Sequence, residues 1–164
     1  MSPIQRGFTE IERKFLIDTF PDDLPLLHTQ RVFQAYLSLE PEVRLRRAEQ
    51  DGQDAARSLT IKSGSGLVRR EVRIDLSKEQ FDALAELIPQ PFISKDYRVY
   101  RLPGGLELEC SLVDEGMDTA FLYAEIEFPS VKAAEAFPPL PLFKQEVTEN
   151  PAYRMNRYWK ETRG

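Results

Sequence analysis

Three Glu-x-Glu pairs carry the chemical information in this 164-residue chain. They lie in Thr9-Glu10-Ile11-Glu12-Arg13-Lys14-Phe15, Leu106-Glu107-Leu108-Glu109-Cys110 and Ala124-Glu125-Ile126-Glu127-Phe128. Side chains alternate between the faces of a β-strand, so each pair sets two carboxylates on one face and its apolar neighbours on the other. Carboxylates gathered without His or Cys suit a hard cation such as Mg²⁺ or Mn²⁺. Basic residues follow the same spacing. Arg44 and Arg46 share a face against Val43 and Leu45, and Arg69, Glu71 and Arg73 share one against Val68, Val72 and Ile74. Such groups suit phosphate oxygens, Arg through its bidentate fork and Lys as a point charge. Two further acidic pairs, Glu40/Glu42 around Pro41 and Glu49/Asp51 before Gly52, read as solvated turn charges.

The elements that must position these residues are mostly strands. The pattern predicts strands at Phe8 to Ile17, near Arg31 to Leu39, at Val43 to Arg47, at Arg57 to Ser63 and at Leu67 to Leu76. Others follow at Phe92 to Leu102, Leu106 to Leu112 and Ala120 to Phe128. Ser77-Lys78-Glu79-Gln80 is a capping box opening a helix with Phe81, Leu84, Leu87 and Ile88 at helical spacing, ended by Pro89. Ser130 caps a short helix through Phe137. A last helix is expected with Asn150 as N-cap and Pro151 at its first position, running to about Lys160 and docked by Tyr158 and Trp159. His28 falls in the connection before the second strand and reads as a solvent-facing side chain.

These lengths fit one α+β domain spanning residues 1–164, with 41% apolar and 30% charged residues. Met1 to Phe8 lacks the apolar stretch of a signal peptide, and no window approaches the ~18 apolar residues of a membrane span. The expectation is a cytoplasmic protein with no membrane partner. A net charge of −5 argues against a nucleic-acid partner. Cys110 is the sole cysteine, which excludes an internal disulfide and a cysteine zinc site and leaves it as core filler. The sequence leaves a homodimer open.

Eight strands that each charge one face have two solutions. The charged face meets water, laced by cross-strand pairs of about 0.2–1 kcal/mol each. Alternatively the sheet closes into an eight-stranded antiparallel β-barrel whose charges line a lumen the size of one small ligand. Burying that many ions costs several kcal/mol each unless they are paired or liganded. The second solution therefore implies a site for a metal-bound polyphosphate. Strand parity alone leaves both standing.

Glu10-Ile11-Glu12-Arg13-Lys14 resembles the Glu-x-Glu-x-Lys signature of the CYTH superfamily, the triphosphate tunnel metalloenzymes. Tyr36-Leu37, Arg44-x-Arg46, Thr60-Ile61-Lys62-Ser63, Arg69-x-Glu71, Lys95, Glu107-x-Glu109, Glu125-x-Glu127 and Glu146-Val147-Thr148 resemble its later strand motifs in order. The resemblance implies a closed tunnel with a few flanking helices and hydrolysis of a triphosphate-containing small molecule by a metal-activated water. It implies Mg²⁺ or Mn²⁺ held by Glu10, Glu12 and Glu127, with Glu71, Glu109 and Glu125 facing a second ion or its waters. Lys14, Arg44, Arg46, Lys62, Arg69 and Lys95 would grip phosphate. Beside what the resemblance implies, Arg73 is a further candidate phosphate contact, and the tail offers Arg154 to close one mouth over the substrate tail. Lys14, Lys95 and Glu125 are the catalytic candidates. Length and the Tyr153-Arg154-x-Asn156 tail resemble the bacterial inorganic triphosphatases most. Thiamine triphosphatases, class IV adenylyl cyclases and a non-catalytic polyphosphate-binding module are the alternatives. Two positions depart from the family pattern. Arg73 stands where relatives often carry a carboxylate, and Tyr97 follows Lys95 where relatives carry Arg, with Arg98 one place late on the opposite face.

Overall fold

The computed structural model describes residues 4–164, with side chains from Thr9 onward, so part of the stretch read for a signal peptide lies outside the described residues. The strands are β1 (Ile4–Ile17), β2 (Leu26–Leu39), β3 (Glu42–Gln50), β4 (Gln53–Ser63), β5 (Val68–Asp75), β6 (Ile93–Arg101), β7 (Glu107–Val113), β8 (Phe121–Glu127) and β9 (Phe143–Glu146). Three α-helices accompany them: α1 (Lys78–Ala85), α2 (Val131–Ala136) and α3 (Met155–Arg163). The sheet runs β5-β4-β3-β2-β6-β7-β8-β1, every pairing is antiparallel, and β1 returns to β5. The result is the closed eight-stranded tunnel expected from the sequence, with one strand, β9, that was not expected.

Closure depends on the length of β1. Its first half, to Ile11, pairs with β5, and its second half, from Glu12, pairs with β8. Beyond the point where β5 leaves, β9 takes the vacated edge at Phe15 to Ile17. The second half of β1 is thus paired on both sides, by β8 and by β9, which removes a template there for pairing with other chains.

Polar side chains face inward here, so the hydrophobic core lies outside the barrel wall. Phe15, Ile17, Leu108, Cys110, Ile126 and Phe128 form one buried cluster, covered by Ala134 and Phe137 of the α2 region and by Phe143 of β9. Phe15 stacks on Phe143 with centroids 3.9 Å apart. Burial of each such side chain contributes about 2 kcal/mol. Arg13 points to the same outer side. Its guanidinium donates to the carbonyls of Ala134 (2.9 Å) and Phe137 (2.8 Å) at the end of α2, and to Glu146 of β9 at 2.7 Å.

A second cluster holds α3 against the barrel, with Trp159 and Tyr158 packed on Tyr36, Tyr123 and Phe121. The expected single tail helix is two pieces. Asn150 caps only a 3₁₀ turn, Pro151–Tyr153, and α3 begins after Arg154. Helix α1 has the predicted capping box but ends at Ala85, four residues before Pro89, and Phe81 alone is buried in it. Strand β2 starts at Leu26, which draws His28 out of its expected loop into a half-buried place beside Tyr97, with ring centroids 6.2 Å apart. Among the described residues no helix is long and apolar enough to cross a membrane.

Asp114, 3% exposed, anchors α3. It accepts from Arg163 (2.6 Å), the Tyr158 hydroxyl (2.6 Å) and the Ser94 amide (3.1 Å). Burial would raise its pKa, but these donors, Arg163 foremost, hold it below the ordinary carboxylate range. A depressed folded-state pKa stabilises the fold above the unfolded-state value of about 3.9 and ceases to do so as pH falls through the folded value. Arg163→Ala is expected to lose about 3 kcal/mol in urea unfolding at pH 7, with the gap to wild type closing below about pH 4.

Candidate active site

The lumen forms a cavity of about 430 Å³. Strand alternation delivers its walls: Glu10, Glu12 and Lys14 from β1, Gln34 and Tyr36 from β2, and Glu42, Arg44 and Arg46 from β3. Lys62 comes from β4, Arg69, Glu71 and Arg73 from β5, and Lys95 and Tyr97 from β6. Glu109 and Ser111 of β7 and Tyr123, Glu125 and Glu127 of β8 complete the wall. Thr148, Asn150, Tyr153, Arg154 and Met155 close over one end. All fourteen candidate site residues from the sequence thus line one cavity.

Acidic and basic groups are interleaved around the lumen: Lys62 lies 3.1 Å from Glu10 and Arg69 3.3 Å from Glu42, while the charges of Lys14 and Lys95 act on Glu125. Lys14 Nζ donates to the Tyr153 carbonyl at 2.6 Å and sits 4.1 Å from the Tyr123 ring centre. Lys95 Nζ donates to the Tyr123 hydroxyl at 2.6 Å. Burial lowers the pKa of Lys14 and drives that of Lys95 well down, and the neighbouring cations add to both effects. An anion entering here favours their charged forms. The Arg44 Nε and Arg69 Nε atoms are buried without a hydrogen-bond partner among the described residues, so donors are already aimed and unspent.

The acidic groups are strained by like charge. Burial, with Glu125 close by, raises Glu12 well above the ordinary carboxyl range. Burial opposes ionisation of Glu125, but Lys14, the Glu12 hydrogen bond and Lys95 bring it down to about 2. Glu10 is lowered because Lys62, 3.1 Å away, outweighs the effect of burial. Burial raises Glu71 and Glu127, with Glu10 adding to both. Burial lifts Glu109 to about 7 even though the Tyr97 hydroxyl donates to it.

This all-oxygen, charge-crowded set of acids fits a hard divalent cation. Among the described residues no three carboxylates converge as ligands. A cation would therefore bind through one or two of them and complete its shell with phosphate oxygens and water, as Mg²⁺ commonly does.

Several residues stand elsewhere than the sequence suggested. Glu42 is no solvated turn charge; β3 begins at Glu42 itself, which gives it the parity of Arg44, and it lies 7% exposed, 3.3 Å from Arg69. Glu49 also belongs to β3 and pairs with Arg47 outside the lumen. Glu107 leaves the main cavity for an adjoining mouth that it shares with Glu109 and Glu127. Arg98 stays on the outer face, paired with Asp96 at 2.9 Å and stacked over Phe20, so no bulge re-aims it. Gln34, Ser111 and Tyr123 were missed, although extending each strand's parity by one step would have found them. The end piece from Thr148 to Met155 has no periodicity to read. It is tied down by Glu149, which accepts from the Leu67 amide at 3.0 Å. A Cβ on Gly66, at φ +76°, would meet Glu149 Oε2 at 2.0 Å, so the loop there requires glycine.

Fold and lumen together define a closed β-tunnel protein with acidic and basic side chains interleaved around one lumen. No protein-family model matches the chain. It is 37% identical over 146 residues to the inorganic triphosphatase of Nitrosomonas europaea, covering 89% of this chain and 93% of that one. A crystal structure of an inorganic triphosphatase matches at 32% identity with a TM-score of 0.65, covering 94% of this chain and 97% of the other. A Pyrococcus horikoshii protein at 17% identity and TM-score 0.53, covering 77% and 81%, shares the fold. The chain belongs to the CYTH superfamily, in the group of the Nitrosomonas enzyme.

Because Glu12 is pushed up on folding, its ionisation weakens the metal-free fold as pH rises above the ordinary carboxyl range. Glu12→Gln is expected to raise the melting temperature of the metal-free protein, more at pH 8 than at pH 5, in paired calorimetric scans.

Proposed function

We propose that the protein is a divalent-metal-dependent inorganic triphosphatase. The observation that carries this reading is that the lumen offers phosphate donors on every wall and nothing for an organic group. Its aromatic residues are already engaged. Tyr123 carries Lys14 on its face and Lys95 on its hydroxyl, Tyr97 lies beside Arg46 and donates to Glu109, and Tyr36 packs on Trp159. A nucleobase or thiazolium ring would have to displace a buried cation to stack there.

In this reading Lys14, Arg44, Arg46, Lys62, Arg69 and Lys95 hold the phosphates in line, and Arg154 covers the end of the chain. Positioning and charge neutralisation of this kind account for most of phosphoryl-transfer catalysis. The cation would sit among Glu10, Glu12 and Glu127, held directly by one or two of them and through water by the rest. Bound Mg²⁺ or Mn²⁺ supplies Lewis-acid polarisation and a water of lowered pKa. Glu71 and Glu109 belong to the same set of carboxylates. Glu125 stays ionised between Lys14 and Lys95. At about 2 it is a weak base, so it orients the attacking water instead of deprotonating it. Lys14 and Lys95 recover full charge against the oxygens of the leaving group.

The test is phosphate release with Mg²⁺ or Mn²⁺ from tripolyphosphate, ATP and thiamine triphosphate, with cyclic AMP followed in parallel. Turnover of tripolyphosphate above the others supports the reading. Preference for an organic triphosphate selects one of the related enzymes, and metal-independent binding without release selects a binding module. Lys95→Ala is expected to lower tripolyphosphate turnover by about 10²-fold, and Glu12→Ala to abolish it with the circular dichroism spectrum unchanged. Ending the chain after Asn150 is expected to raise KM more than it lowers kcat.

A further inference from the structure

Gln34 lines the lumen from β2 with 0% of its surface exposed, yet its side-chain oxygen has no hydrogen-bond partner among the described residues. Polar atoms buried so completely are nearly always paired, because an unmet one has given up its hydration for nothing. The amide nitrogen makes a single long contact, Nε2 donating to the Tyr36 hydroxyl at 3.4 Å. Tyr36 lines the same cavity. Burial, with Glu42 nearby, pushes its phenol well above the ordinary range, so it keeps its proton and can donate.

The unpaired oxygen lies among cations. Arg46 stands opposite Gln34 in register on β3, and Arg44 is one inward step along the same strand. On β6 the partner of Gln34 is Ile93, which places Lys95 on the diagonal. Gln34 Oε1 accepts from none of them, and Arg44 Nε is likewise buried without a partner. An acceptor and a donor left unmatched on neighbouring strands mark a place for a third group. The surrounding cations select an anion, whose oxygens need donors. A carbonyl oxygen would repel such a guest. The same amide turned over satisfies every partner: the Tyr36 hydroxyl donates to Oε1, and Nε2 donates to the anion.

We infer that Gln34 is a further substrate-binding residue, its side-chain amide donating to a phosphate oxygen held by Arg44, Arg46 and Lys95, with Tyr36 as the positioning residue that fixes the direction of the amide. Charge draws the phosphates in, and this neutral donor, which has a direction, sets the register in which they lie. The inference rests on the triphosphate reading of the lumen.

The experiment is nuclear magnetic resonance of ¹⁵N-labelled protein titrated, with Mg²⁺ present, with diimidotriphosphate, the nitrogen-bridged analogue of tripolyphosphate. The Gln34 amide is identified as the signal absent from Gln34→Met, a variant of similar volume without the amide. In the saturated complex that signal is expected to shift and to couple to ³¹P through the hydrogen bond. Gln34→Met is expected to lose about 10- to 100-fold in kcat/KM for tripolyphosphate, the usual contribution of a hydrogen bond to a charged group. A Gln34 amide without coupling to phosphorus in the saturated complex overturns the inference, water then being the partner of the buried atom. So does an unchanged kcat/KM in a folded Gln34→Met. Should that variant fail to fold, Tyr36→Phe is expected to raise KM about three- to tenfold by freeing the amide to turn, and an unchanged KM is equally decisive. Wild type separates the two claims. Analogue binding and tripolyphosphate turnover with an uncoupled amide strike only this inference, whereas no binding and no turnover strike the reading beneath it.

Discussion

Everything in this molecule follows from holding seven carboxylates and eight basic side chains around one lumen. Ions taken out of bulk water cost several kcal/mol each, and mutual attraction repays this only with good geometry. An open sheet would simply hydrate them. Closure forces them to face one another, and the pairs that form, Lys62 with Glu10 and Arg69 with Glu42, leave a remainder that is not settled. A Glu12 pushed up beside Glu125 and a strongly depressed Lys95 are the marks of that remainder. The site is balanced for a guest that brings negative and positive charge together.

The inverted polarity explains the rest of the architecture. With its charges inside, the barrel must find its hydrophobic core on its outer surface, and short elements supply it. Helix α2 and strand β9 cover the apolar faces of β1, β7 and β8, and α3 packs across β2 and the end of β8. Neither α2 nor β9 would persist alone at six and four residues, so Arg13 stitches both to the wall. The lid over the lumen is tied in the same way, through Glu149 to the Leu67 amide and through Tyr153 to Lys14.

The sequence carried the barrel and most of its lining because period-two alternation is strict wherever one face must be charged and the other apolar. Glu10, Arg44, Arg69 and Glu125 could each be placed by that rule. It failed where a strand boundary decided the parity. Glu42 sits beside a proline, and only the knowledge that β3 starts there makes it a lumen residue. It failed also for β9, whose pairing is dictated by the vacancy on β1 and not by its own residues. The two-piece tail was unreadable because Asn150 and Pro151 signal a helix start whether the turn that follows is α or 3₁₀. Arg98 shows the rule succeeding: one residue out of phase, it went to the outside.

Strand β1 carries Glu10, Glu12 and Lys14 on one face and Arg13 and Phe15 on the other. Shifting it by a single residue would bring a phenylalanine into the polar lumen and an ammonium into the stack on Phe143. Catalytic side and structural side are therefore two readings of one alignment. A tunnel that can hold its substrate has, by that fact, been assembled in the correct frame, and selection for turnover serves equally as proofreading of the fold.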